Sequence, residues 1–360
     1  MSPICLYQIL LLCIIIILLT DGVTYYIKPL RSSTYPEECR QCLTLSQFIA
    51  EHQTGIFREP SVSLTFLSGN HTLNEQLNIR NVTVGKLSAY SFGAVPAIVC
   101  KQNASIMLSD IDDVHVSYMD FIGCSGHKFN KINMIVVEDS AFINHHESAL
   151  TISLSNIKLV RTLFNSNSGG SWQYCSIPEK SFYALAGAAI VSKQSNVSIS
   201  ESVFMENVAE VGGAVFAELH SKISVMHTVF ERNHAACKMN CVGGALYIIY
   251  SSVSVCNSTF YSNKLIHSGD VKAGYIAYGG VIGLLESTFN AQSCIFAQNG
   301  QHGNGLGGVL FAHNATIIIT NSQVMSNYFD RGVLLASRAT ITIMGSNFIK
   351  NDDISIDEGN

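Results

Sequence analysis

The chain has 360 residues, of which 13% are charged, and a formal net charge of −5. It carries no basic patch, which argues against nucleic acid and anionic membrane surfaces as partners. It has no serine-nucleophile elbow and no phosphate-binding glycine loop, so no cofactor is expected.

Residues 4–19 form an apolar run broken only by Tyr7, Gln8 and two cysteines, Cys5 and Cys13. Thr20, Asp21 and Gly22 follow, so residues 1–24 read as a secretory signal. The segment before the run has no Lys or Arg, which leaves an uncleaved anchor as the alternative. No other stretch reaches the about 18 apolar residues of a membrane span. Six glycosylation sequons fit a secretory route: Asn70, Asn81, Asn103, Asn196, Asn257 and Asn314. The expected location is extracellular, secreted or at the cell surface. Membrane contact is expected only through the signal or an anchor beyond residue 360.

Residues 25–60 are expected to form an N-terminal cap, with a short amphipathic helix over 43–53 that buries Leu45, Phe48 and Ile49. Irregular first coils follow, with strands near 64–67, 79–84 and 105–108. Nine of the eleven cysteines lie beyond the signal, so one thiol is free or pairs outside the chain. Cys294 is the candidate. Cys39 and Cys42 could close the cap, and Cys100 and Cys124 could staple neighbouring coils. Cys175, Cys237 and Cys241 lie in long loops at one corner. In a secreted chain, disulfides are a better reading of these spacings than zinc, and no metal is assigned.

Residues 61–351 are assigned to the solenoid, and from residue 114 to 351 a repeat dominates it. It reads apolar-x-apolar, two residues, Ser/Thr-x-Phe, two residues, Asn. Its ends are Phe164/Asn167, Phe204/Asn207, Phe230/Asn233, Phe260/Asn263, Phe296/Asn299, Val324/Asn327 and Phe348/Asn351. Phe121 and Phe142 extend the pattern backwards. Counting from the Phe, positions −7 and −5 are apolar and share one strand face, as in Ile223 and Val225. Position −2 is small, as in Ser202, Thr228 and Cys294. A glycine signal opens most copies: Gly187, Gly212-Gly213, Gly243-Gly244, Gly279-Gly280, Gly307-Gly308 and Gly332. The interval between Asn and the next glycine varies, so one corner accepts insertions. A fixed repeat with strand alternation and no helical period predicts an all-β solenoid, a right-handed parallel β-helix of about 9–11 coils. The Asn column is expected to stack as an amide ladder.

The pairing of Gly-Gly-Ala segments (Gly212–Val215 and Gly243–Leu246) with Phe-x-x-Asn ends resembles the repeats of the chlamydial polymorphic outer membrane proteins. It is also similar to β-helix domains of the pectin-lyase-like superfamily in secreted animal proteins. The resemblance covers about residues 110–351. It implies a β-helix and, from the first family, adhesion. The membrane barrel that ends those adhesins has no counterpart before residue 360.

Residues 352–360 form an acidic tail whose charge discourages edge pairing without supplying a cap, and the natural chain is expected to continue. Enzymes on this fold act through charged residues stacked on adjacent coils. Position −3 offers Asp139, Arg161, Glu201 and His227. Asp139, Arg161 and Glu201 form the candidate catalytic set for polysaccharide cleavage, against a plain ladder of opposite charges. His145-His146 reads as an exposed pair at a turn. For binding, the inserts at 168–186 and 264–278 carry Trp172, Tyr174, Tyr183, Tyr275 and Tyr278, aromatics suited to sugar rings or a protein partner. The reading is a non-catalytic extracellular recognition or adhesion module for glycans or surface proteins. The alternative is a divergent polysaccharide lyase or glycoside hydrolase.

Overall fold

A computed structural model describes residues 23–29, 42–52, 54, 61–89, 94–101, 103–177, 180–237, 241–267, 277–302, 305–306, 308–328, 332–351 and 358–359. The chain is a parallel β-helix. One coil shows the plan: strand Val215–Glu218, corner, strand Lys222–Met226, corner, strand Val229–Glu231, corner, short strand His234–Cys237. Each strand pairs in parallel with its equivalent on the coils before and after. Ile223 lies between Val197 and Val253, and Phe230 between Phe204 and Phe260. The strands that carry the Phe form an 11-stranded sheet, one strand per coil, and the two strands before it merge into a 22-stranded sheet.

The corners explain the repeat. The residue at −3 has a left-handed backbone on every coil from Tyr118 to Gly345, including Asp139 (φ 49), Arg161 (φ 48), Glu201 (φ 50) and His227 (φ 50). Position +2 does the same, as in Glu206 and Arg232, and so does position −10, as in Gln194 and Tyr250. For a residue with a Cβ this conformation costs roughly 1–2 kcal/mol. It also turns the following N–H along the solenoid axis. A side chain on the next coil then accepts that N–H. The backbone of Asn207 donates to Asn233 Oδ1 (3.2 Å), that of Thr228 to Ser258 Oγ (3.1 Å) and that of Ser221 to Ser251 Oγ (3.0 Å). Each corner therefore has its own ladder: Ser at −9, Ser/Thr at −2, Asn at +3.

The Asn ladder is fully satisfied. Asn233 Nδ2 donates to Phe204 O (2.9 Å) and Asn263 Oδ1 (3.0 Å), and its Oδ1 accepts from Asn207 N and Nδ2. Asn167, Asn207, Asn233, Asn263, Asn299 and Asn327 are buried. Beside them the rings of Phe121, Phe142, Phe164, Phe204, Phe230, Phe260 and Phe296 stack at centroid spacings of 4.7–5.0 Å. That is the strand spacing itself. The glycine corner is equally constrained. A Cβ on Gly213 would lie 2.1 Å from Gly244 O, so only glycine lets successive coils close to contact.

Several elements differ from the sequence expectation. The helix runs Leu45–Glu51, shorter than 43–53, because Thr44 caps it. The Thr44 side chain accepts Gln47 N–H and Gln47 Oε1 accepts Thr44 N–H. Strand Val23–Lys28 joins the stack beside Ser61–Phe66, so Val23 and Thr24, assigned to the signal, pair with Val62 and Ser63. The insert at 168–186 is an antiparallel hairpin, Gly170–Ile177 with Lys180–Ala186, not a loose loop. The inserts after Asn233 and Asn263 begin with short strands that extend the stacking, in a 4-stranded sheet. In the tail, Glu358–Gly359 pairs with Ala336–Ser337 and adds a strand where only repulsive charge was expected. No helix among the described residues is long and apolar enough to cross a membrane.

Asn233→Ala would remove four hydrogen bonds from a buried site, each worth about 1 kcal/mol, and would leave the Asn207 N–H without its acceptor. We expect a loss of roughly 4 kcal/mol or more in urea unfolding, and a much smaller loss for Asn351→Ala at the half-buried last rung. Equal losses would show that the ladder is not what binds the coils.

Candidate functional site

The outer face of the strands from −8 to −4 carries a shallow groove of about 600 Å³. Two polar ladders floor it. One is Asn156, Asn196, Lys222, Ser252 and Thr288, and the other is Lys158, Ser198, Ser224, Ser254 and Asn290. Strand register aligns both along the axis over five coils, a span of about 19 Å at 4.8 Å per coil. The lining contains two lysines, Lys158 and Lys222, and no carboxylate. Asn196 Nδ2 donates to Asn156 Oδ1 (2.7 Å), and Asn156 Nδ2 to Asn133 O (2.8 Å). Only these two amides are held by hydrogen bonds, and most of the surface facing the groove is aliphatic carbon of the ladder side chains and of Met134, with amides, hydroxyls and ammonium groups set along it. Sequence reading passed over it because small polar residues on outward strand positions look like ordinary solvent-facing surface.

The column Asp139, Arg161, Glu201 lies at the corner that ends these strands. Arg161 Nε and one terminal nitrogen donate to the two Asp139 oxygens at 2.7 and 2.8 Å. The Arg161 hydrogen bonds hold the Asp139 carboxyl below its ordinary range, and Arg161 in turn is pushed up by Asp139. A general acid needs the opposite shift. Arg232 makes an equivalent bond to Glu206 (3.0 Å) at the third corner of the coil, where opposite charges likewise meet on adjacent turns. Charge pairing between coils therefore recurs away from the groove.

The aromatic candidates are only partly described. Trp172 pairs with Ala184, Tyr174 with Phe182 and Tyr183 with Gln173 in the backbone register of the hairpin. Tyr278 pairs with Leu306, and Tyr275 lies outside the described residues. The base of the hairpin covers the solenoid. Ala184, Ala186, Val211 and Val242 pack over Val191, Phe216, Tyr247 and Ile249, which point outward from the first strands of their coils.

Cys100 and Cys124 form a disulfide between adjacent coils, and Cys237 and Cys241 form another within one insert. Cys42 is disulfide-bonded, and Cys39 lies outside the described residues, as does the side chain of Cys175. Cys294 is a buried free thiol, pushed up by burial, and Cys256 is a second free thiol where the cysteine count required only one. All six sequon asparagines are exposed. Asn81, Asn103, Asn257 and Asn314 occupy left-handed corners, Asn70 begins a strand, and Asn196 lies in the groove.

His145 corrects the expectation of an exposed pair: it is 1% exposed, while His146 faces solvent. It stands three residues after Phe142, so it fills the ladder position of the buried Asn. Cys124 fills the same position after Phe121. Ligand atoms of Cys124, His127 and His145 lie within 4.8 Å of one another. The donor set does not suit a metal, because the Cys124 sulfur is bonded to Cys100 and His127 Nδ1 accepts the Ile106 N–H (3.0 Å). That acceptor role puts the His127 proton on Nε2.

No protein-family model matches the chain. The chain is 32% identical over 101 residues to a metabotropic glutamate receptor-like protein R of Dictyostelium discoideum, a stretch that is 28% of this chain and only 6% of that protein. Among solved structures it is similar to ORF18 of Geobacillus virus E2, at 12% identity, 80% of this chain, 54% of that chain and a TM-score of 0.45. It is also similar to PfbA, a surface adhesin of Streptococcus pneumoniae, at 11% identity, 81% and 84% coverage and a TM-score of 0.41. The tailspike protein 3 of bacteriophage CBA120 matches at 8% identity, 86% and 59% coverage and a TM-score of 0.33. The β-helix assignment rests on the strand pairing itself.

Replacing Arg161 by Gln is expected to move the Asp139 titration up toward an ordinary carboxylate, near about 3.9. In the native chain the pair contributes stability above that value and loses it as pH falls through the lowered folded value. Carboxyl-carbon NMR reads both. An unmoved Asp139 titration would show that the pair does not persist in solution.

Proposed function

We propose that the chain is a non-catalytic extracellular recognition or adhesion module that binds an extended glycan laid along the solenoid axis. The groove supports this reading: two in-register polar ladders repeat along the axis, as the hydroxyls of a glycan repeat along its length. The two lysines and the absence of carboxylates favour acidic sugars. A surface protein presenting an extended, acidic segment is the second kind of partner this face suits. The disulfides and the exposure of all six sequons support passage through an oxidising, glycosylating compartment and kinship with secreted pectin-lyase-like proteins. The signal is proposed to end near Gly22, two residues before the expected boundary, ahead of the strand that begins at Val23.

The enzymatic reading has less support, since Asp139 is paired and held ionised by Arg161. It stays testable through Asp139→Asn and Glu201→Gln. Polysaccharide cleavage by the parent chain, lost in both variants, would sink the non-catalytic reading.

A glycan array should show binding that weakens roughly 30-fold in the Lys158→Ala, Lys222→Ala double variant, at about 1 kcal/mol per lost charged contact. The comparison is made with and without Asn196→Gln, because a sugar on Asn196 would occupy the groove. Unchanged binding in the lysine variant but loss in Trp172→Ala would move the site to the hairpin. No glycan binding by any form would overturn the reading.

A further inference from the structure

The Asn ladder runs unbroken from Asn351 to Asn167 and then stops. The next two ladder positions hold His145 and Cys124. His145 keeps half of the pattern: its backbone N–H donates to Asn167 Oδ1 (3.0 Å). Its ring, however, makes no ladder bond of its own and meets the imidazole of His127, which opens the same coil. His145 Nε2 and His127 Nε2 are 3.2 Å apart, and both residues are 1% exposed. Since the Ile106 N–H fixes the His127 proton on Nε2, His127 is the donor and His145 Nε2 the acceptor. The His145 proton then sits on Nδ1, which has no partner within hydrogen-bond geometry, although the Asn167 side chain and the Ile143 carbonyl both lie beside the ring and favour its charged form.

We propose that this imidazole pair, whose two members close the coil of Phe142, makes the seam against the coil of Phe121 an acid-sensitive joint, because His127 Nδ1 takes the Ile106 N–H across that seam. Protonating His145 would put two N–H groups face to face at 3.2 Å, in a site sealed by Phe121 and Phe142. Protonating His127 would need a proton on Nδ1, where the Ile106 N–H already points. The pair can be charged only by opening. An Asn at the same position has no such weakness, as the six buried ladder residues show. The titratable neighbours are few. His146 is the charged-form group that bears on His145, the two rings bear on each other, and Cys124 is in a disulfide and does not titrate. The Cys100–Cys124 bond lies on the far side of the seam, so it ties the earlier coils together without bridging the joint.

Burial supports the same direction: it holds His127 well below the usual histidine value and His145 at about 3. A histidine kept neutral in the fold but free to charge when unfolded, near about pH 6.5, makes the folded state less stable as pH falls below that value. Between neutral pH and pH 5 the folding equilibrium constant should drop roughly 30-fold for each such histidine.

The test compares the full chain with His145→Asn, a change that continues the ladder and should therefore fold. Urea unfolding is measured from pH 7 to pH 5, together with amide exchange over residues 106–145. The parent should lose roughly 30-fold more stability across this range than the variant, with exchange rising first in 106–145. Buried His71 and half-buried His234 are also shifted down and leave a common slope in both chains, so the difference carries the result. Equal pH dependence in the two chains would overturn the proposal. So would an NMR titration of the native chain in which His145 charges reversibly near about 6.5 with no rise in exchange.

Discussion

One backbone group governs this structure: the N–H that follows each left-handed corner. A parallel β-helix must turn its chain three or four times per coil, and each turn takes one amide out of the strand plane. Buried and unpaired, such an amide would cost about as much as several well-packed methylenes can return. The fold gives it an acceptor on the adjacent coil, supplied by a short polar side chain that points inward. Ser, Thr and Asn fit because their oxygens lie close to the backbone. Hydrophobic burial supplies the gross stability, but the ladders decide that each coil sits in one register.

This constraint also explains how far the sequence could be read. The Asn column and the Phe stack were visible because their spacing does not vary and their residue types are distinctive. The Ser column at −9, from Ser155 to Ser287, does the same work as the −2 column. It escaped notice because serine beside a variable outward residue has no contrast. His145 is hidden for a related reason: Asn marks the column in the sequence, whereas the position requires only that the side chain be inward and polar. The apolar spacing of Leu45, Phe48 and Ile49 marks the helix but not its ends, which Thr44 caps on one side and His52 on the other. The hairpin Gly170–Ile177 with Lys180–Ala186 was invisible as a hairpin, because alternation in an insert has no neighbouring copies to be compared with.

The surface divides accordingly. Where the repeat is strict, side chains are committed to the scaffold, and even charged corner residues such as Asp139 and Arg161 are absorbed into coil-to-coil pairing. The outward positions of the middle strands are free of that duty, and there the same strict register produces straight rows of polar groups. The inserts partly serve as a covering layer over the outward apolar residues Phe216 and Tyr247. Surface features on this scaffold come from register as well as from irregularity.

Because the coils from Asn207 to Asn263 offer the same Ser, Ser/Thr and Asn acceptors toward one neighbour and the same donors toward the other, their ladders are interchangeable. A coil removed between Asn207 and Asn263 leaves ladders that still match, and a coil copied there finds the same acceptors and donors on both sides. Length is thus a free variable of this architecture, open to change by duplication or loss of whole turns. The coils carrying Cys124 and His145 are the exception. Their contacts are unique, and they fix an origin from which the rest of the stack is counted.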